Sequence, residues 1–167
     1  CWSLVGSEMC IRDRVKTIQN PRIMNRIMNS ASDLKSLIIQ HAEDAELSKD
    51  GMINDGIIAT KLGLQGIPIS AELLIIERDL TLLEYNNCRY HIAQISSANS
   101  VDIIRERKNK VNFSCGVSIN NLSLNENDIG DFRTFLKLSP PLRTENDRLS
   151  LVPVSYTHLT LPTINWV

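Results

Sequence analysis

The stretch "CRYHIAQISS", residues 88–97, is rich in aromatic and β-branched side chains and closes on a pair of serines. That is the pattern of a strand running into a helix start. It sets His91 and Gln94 three residues apart. Successive strand residues point to opposite faces, so His91 is expected to share a face with Ala93 and Ile95, and Gln94 with Tyr90 and Ile92. On that reading the two side chains do not look into one site. Functional sites of parallel α/β folds lie at the C-terminal ends of strands. Gln94 is nearer that end and becomes the position to watch, with His91 read as a satisfied histidine in the layer between sheet and helices.

Working outward, the same alternation of element types recurs on both sides. "NPRIMNRIMNSASDL" offers Asn20 as an N-cap and Pro21 at the first helical position, with Ile23, Met24, Ile27 and Met28 forming an apolar stripe. "LKSLIIQHAED" reads as a short strand buried on both faces that ends in a polar cluster at residues 41–44. Gly51, Gly56, Gly63, Gly66 and Pro68 then mark a long loop with one helical turn, a length that usually signals function. Ser70 is expected to cap a helix through Glu84, with Leu73, Ile76, Leu80 and Leu83 at helical spacing. After the opening stretch, Ser97 caps "ANSVDIIRERKNK", whose cationic end suits the helix dipole. "VNFSCGVSI" is a further strand, an extended polar loop follows, and Thr144 with the acids after it begins another helix.

Composition bounds the rest. The chain has 167 residues, 43% hydrophobic and 22% charged, with a formal net charge of -1. These values describe an ordinary globular domain and carry no nucleic-acid footprint. No run approaches the roughly 18 apolar residues of a membrane-spanning helix, and with Cys1 in first place no initiator methionine or signal peptide is visible. The two ends, "CWSLVGSEMCIRDR" and "VSYTHLTLPTINWV", resemble translated sequencing-adapter read-through. We therefore divide the chain into an adapter-like scar at 1–14, a natural segment at 15–153 and a second scar at 154–167. That division removes Trp2, Trp166, Cys1, Cys10 and His158 from the inventory of functional candidates. Cys88 and Cys115 remain, without metal spacing or a secreted disulfide framework, and read as buried thiols in a reducing cytoplasm.

Strands separated by helical crossovers imply right-handed units of a parallel sheet. A doubly wound open sheet and a (β/α)8 barrel both fit this order. Polar strand ends with long loops beyond them suit the barrel's catalytic face better. A barrel would make the chain a sector of a larger protein, expected to express poorly or aggregate alone because its strand edges lack partners.

Five blocks in order, "LIIQHAED", "TKLGLQGIPISAELLIIERDLTLLE", "CRYHIAQISSANSVDIIRERK", "VSINNLSLNENDIGDF" and "LSPPLRTENDR", resemble the dihydroorotases of the cyclic amidohydrolase superfamily. The resemblance implies a metal-dependent (β/α)8 TIM barrel of which the chain holds strands five to seven, and zinc as cofactor. It implies that His41, matching the histidine that ends strand five, binds metal. A neutral imidazole at a strand end beside Glu43 and Asp44 agrees with that role. Gln94 falls where the family's second strand-six histidine ligates metal, and an amide oxygen is a poor substitute for imidazole toward transition metals.

Further departures follow. Ser139 stands where the family's Asn-Pro-Pro-Leu-Arg block has a substrate-contacting asparagine, and Asn120 and Asn121 stand where many relatives carry a histidine pair. Arg143 is read either as a ligand for a substrate carboxylate or as a surface arginine at a helix start. The acidic run at 126–131 is read as a solvated loop. The implied chemistry is the interconversion of N-carbamoyl-aspartate and dihydroorotate in pyrimidine synthesis: a metal-activated water attacks the ring amide carbonyl and a strand-eight aspartate moves the proton. The strand-one histidines, strand-four carboxylate and strand-eight aspartate of that scheme lie outside this chain, so no catalytic residue and no turnover are expected of it alone. The alternative is a degenerate relative that serves as a structural partner of aspartate carbamoyltransferase.

Overall fold

A computed structural model describes residues 10–12, 17–131 and 133–157, with side chains described from residue 17 to residue 153 except at 132. The elements are β1 (Cys10–Arg12), α1 (Pro21–Asp33), β2 (Leu37–Gln40), β3 (Ile53–Asn54), α2 (Ile57–Leu62), β4 (Gly66–Ile67), α3 (Ser70–Tyr85), β5 (Arg89–Ile95), α4 (Ala98–Arg107), β6 (Phe113–Val117), α5 (Ile119–Ser123) and α6 (Glu145–Thr157). Two short 3-10 turns, Glu126–Ile129 and Thr134–Leu136, lie between α5 and α6. Cys1, Trp2, His158 and Trp166 lie outside the described residues. Within the stretches set aside as scars, Cys10–Arg12 runs beside β2 and α6 extends to Thr157, past Pro153.

The helix boundaries follow local chemistry. Asn20 accepts from the amides of Arg22 at 2.9 Å and Ile23 at 3.3 Å, with Pro21 supplying the pre-set φ of a first turn. Ser97 accepts from Ser100 at the start of α4. Thr144 and Asp147 exchange side-chain to backbone bonds in both directions at the start of α6, a reciprocal cap that satisfies donors at both positions. Ser70 differs from expectation: it is the first residue of α3, and Ile69 occupies the cap without a side-chain bond.

One four-stranded parallel sheet runs in the order β1-β2-β5-β6. The main core is a single cluster that joins Met24, Met28 and Ala31 of α1, Ile75, Ile76, Leu80 and Leu83 of α3, Val101 and Ile104 of α4 and Leu151 of α6 to Ile38, Tyr90, Ile92, Ile95, Cys115 and Val117 of the strands. All these helices therefore cover the same face of the sheet. A doubly wound sheet carries helices on both faces, so the arrangement is that of a barrel wall, with consecutive strands adjacent and helices outside. Each large aliphatic side chain buried here contributes about 1.5–3 kcal/mol.

Three expectations change at this level. Ile23 is 49% exposed, because the buried stripe of α1 runs through Met24, Met28 and Ala31. β2 is covered on one face only, its side chains alternating between half-buried and buried. The long loop after β2 is built: β3 and β4 pair in parallel around α2 and, with the chain around Ile129, Leu136 and Leu142, enclose a second apolar cluster. The polar loop after β6 likewise holds α5 and the two 3-10 turns. These two excursions form a cap beyond the C-terminal ends of the strands.

Candidate active site

The strand β5 corrects the reading of its two polar residues. Ile92 pairs with Cys115 and Ile95 with Val117, so three steps along β5 match two along β6, a β-bulge. Ile92 and Ile95 both lie in the helix-facing core at 0% exposure, although strict alternation would separate them. Ala93 and Gln94, between them, consequently fall on the inner face, opposite Tyr90 and Ile92. His91 alternates against Tyr90 and Ile92 and faces inward as well. It is not in the layer between sheet and helices: its Nδ1 lies 2.8 Å from the Ser114 hydroxyl of β6. His91 and Gln94 thus share a face, which the assumption of unbroken alternation had excluded. Burial holds the His91 imidazole below its ordinary pKa, favouring the neutral ring. Gly116 makes room for the bulge, since a Cβ there would sit 2.6 Å from the Ala93 carbonyl oxygen.

His41 follows β2 at the C-terminal end of the sheet. Its Nε2 lies 2.9 Å from Glu43 Oε2 and 3.0 Å from Ser139 Oγ, and Ser139 donates to the same carboxylate oxygen at 2.5 Å. The backbone beneath is held separately: Thr17 donates to the His41 carbonyl at 2.7 Å and Gln19 to that of Glu43 at 3.0 Å. Burial would raise the Glu43 pKa, but the hydrogen bonds from His41, Ser139 and Ser48 outweigh it and hold the carboxyl at about 2. A carboxylate has no proton to give, so a hydrogen on Nε2 satisfies this geometry; in the neutral ring the lone pair is then at Nδ1. An imidazole aligned by a carboxylate is the arrangement that orients a metal-binding histidine.

Among the described residues no group of three or more His, Cys, Asp or Glu side chains converges as a metal centre. The His41 imidazole has the orientation of a metal ligand, and the described residues supply no complete centre around it. Gln94 is half-buried on the inner face. Asn121 is buried and donates to the Pro141 carbonyl at 3.0 Å, supporting the segment that carries Ser139.

Arg143 is 3% exposed, so it is not a surface arginine. It donates through Nε to Ser96 at 3.1 Å, and through one terminal nitrogen to Asn54 Oδ1 and the Ile67 carbonyl, each at 2.7 Å. Ser96 and Ser100 in turn donate to Glu72, the buried first-turn acid of α3. Asn54 also donates to Glu126 at 2.6 Å, which makes the acidic run part of the cap's framework rather than only a solvated loop. Sequence reasoning missed the meeting of Ser139 with His41, which are 98 residues apart. No local pattern reports such a pair.

Cys88 and Cys115 are buried thiols outside any disulfide, and burial pushes the Cys115 thiol up to about 11. Among the described residues no helix is long and apolar enough to cross a membrane.

Comparison with known proteins accords with this geometry. A family model described as Dihydro-orotase-like matches residues 5–100. A dihydroorotase of Ehrlichia canis is 42% identical over 137 residues, covering 81% of this chain and 31% of that protein. A dihydroorotase of Desulforapulum autotrophicum is 37% identical over 145 residues, covering 86% and 34%. The chain thus spans about a third of the length of the curated relatives it matches. Among solved structures, an L-hydantoinase (dihydropyrimidinase) from Arthrobacter aurescens superposes with a TM-score of 0.72 at 18% identity, over 93% of this chain and 36% of that one. A dihydroorotase from Campylobacter jejuni does so with a TM-score of 0.58 at 14% identity, over 81% and 35%. The one-sided helix layer and these relatives lead to one assignment: the chain belongs to the dihydroorotase-like family.

Proposed function

We propose that this chain forms strands five, six and seven of a dihydroorotase barrel, as β2, β5 and β6, with residues 15–153 as its natural segment. The whole protein would interconvert N-carbamoyl-aspartate and dihydroorotate in pyrimidine biosynthesis, in the cytoplasm. The observation that carries the reading is 42% identity to a dihydroorotase over 81% of the chain. His41 would hold zinc, which when bound supplies an activated water for attack on the ring amide. Glu43 keeps the imidazole oriented, and Gln94 presents a neutral amide where a second imidazole would otherwise stand. Arg143 is assigned to holding the cap, to which Nε and one terminal nitrogen tie it through Ser96, Asn54 and the Ile67 carbonyl. The scaffold alternative, with aspartate carbamoyltransferase as partner, finds no support among the relatives and is not carried further.

The test is the zinc content and dihydroorotate hydrolysis of the full-length protein that contains this chain. Bound zinc with turnover is the expected result. A folded, metal-free protein without turnover would end the reading.

A further inference from the structure

We propose that Ser139 is a positioning residue for His41. The hydrogen inventory of the cluster carries this. A serine hydroxyl has one proton and two lone pairs. The proton goes to Glu43 Oε2, which accepts at 2.5 Å and has none to offer in return. A lone pair of Ser139 Oγ then faces the Nε2 hydrogen of His41 at 3.0 Å, and that hydrogen is shared with Glu43 at 2.9 Å. The hydroxyl's proton and one acceptor site are both spent within the cluster.

The backbone delivers Ser139 to this place from both sides. Leu136 and Leu142 anchor the segment in the second apolar cluster, and Leu138 packs against it. Asn121 donates to the Pro141 carbonyl at 3.0 Å, and the Glu126 amide to the Arg143 carbonyl at 2.9 Å. His41 and Glu43 have their own backbone anchors in Thr17 and Gln19, so what remains to be set is the ring's orientation and tautomer. Ser139 and Glu43 together set both.

The inference deepens the proposed function, resting on His41 as a site residue, but its first readout needs neither metal nor turnover and therefore fails separately. The full-length protein that contains this chain is labelled with imidazole-15N histidine, stripped of metal and examined by NMR without substrate; His41 signals are identified by their loss in His41→Gln. The Nε2–H tautomer is expected for the unsubstituted protein. Ser139→Ala should shift the His41 nitrogen signals and weaken zinc binding by about 10- to 100-fold in a chelator competition, as loss of an outer partner does. Ser139→Thr, which keeps the hydroxyl, should restore both. If Ser139→Ala leaves the His41 spectrum and zinc affinity unchanged, whether or not KM for dihydroorotate rises, the proposal is overturned.

Discussion

Arg143 and His41 each gather a serine and a glutamate where strands give way to loops, yet Arg143 is 3% exposed while the His41 side chain is 29% exposed. In the Arg143 cluster, Arg143 donates from the cap to Ser96 just past β5, and Ser96 donates on to Glu72 of α3. Its removal would strand buried acceptors that water cannot reach. In the His41 cluster, with Glu43 and Ser139, the same residue types face an opening, where a broken bond can be replaced by water or by a ligand. The first arrangement resists change and holds the fold; the second keeps an aligned nitrogen available. Degree of burial, more than residue type, separates framework from site.

That contrast is open to experiments on the full-length protein. The largest effect is expected for Arg143→Met, which leaves Ser96, Asn54 and the Ile67 carbonyl without their donor: about 3–5 kcal/mol of stability should be lost in urea denaturation. A loss under about 1 kcal/mol would show that the cluster does not hold the cap. Gly116→Ala presses a methyl against the Ala93 carbonyl and should cost about 1–3 kcal/mol by the same measurement. An unchanged midpoint would mean that β5 and β6 are looser than drawn. Gln94→His adds an imidazole on the inner face and should tighten zinc binding by roughly tenfold, about 1.4 kcal/mol. If chelator competition shows no gain, position 94 does not look into the metal shell. The smallest change in stability is expected for His41→Ala, within about 0.5 kcal/mol, while its zinc content falls in elemental analysis. A variant that unfolds would place His41 with the framework after all.

The sequence made legible what local rules govern. Asn20 with Pro21, Ser97 and Thr144 announce helix starts because capping is decided within one turn, and the alternation of strands and helices announced a parallel sheet. The choice between open sheet and barrel needed the third dimension: only the shared cluster of Met24, Leu80, Val101 and Leu151 shows α1, α3, α4 and α6 on one face. The bulge at Ala93 and Gln94 was invisible because parity counts assume an unbroken ladder, and a register shift is a property of two strands together. β3 and β4, each two residues long, fall below any periodic signal. The burial of Arg143 was not legible because its partners, Asn54 and Ile67, lie in another excursion of the chain, 89 and 76 residues away. His41 stands out in the sequence from its place at a strand end and from the resemblance. Its serine partner was recognised as a site position but not as a neighbour of the ring.

The bulge in β5 has an evolutionary side. Because the ladder, and not the side chain, decides where position 94 points, the residue there can be exchanged without redirecting its neighbours. Glutamine and histidine codons differ by a single third-position base. A lineage could therefore lose or regain an imidazole at this spot in one mutational step, with the scaffold waiting unchanged around it.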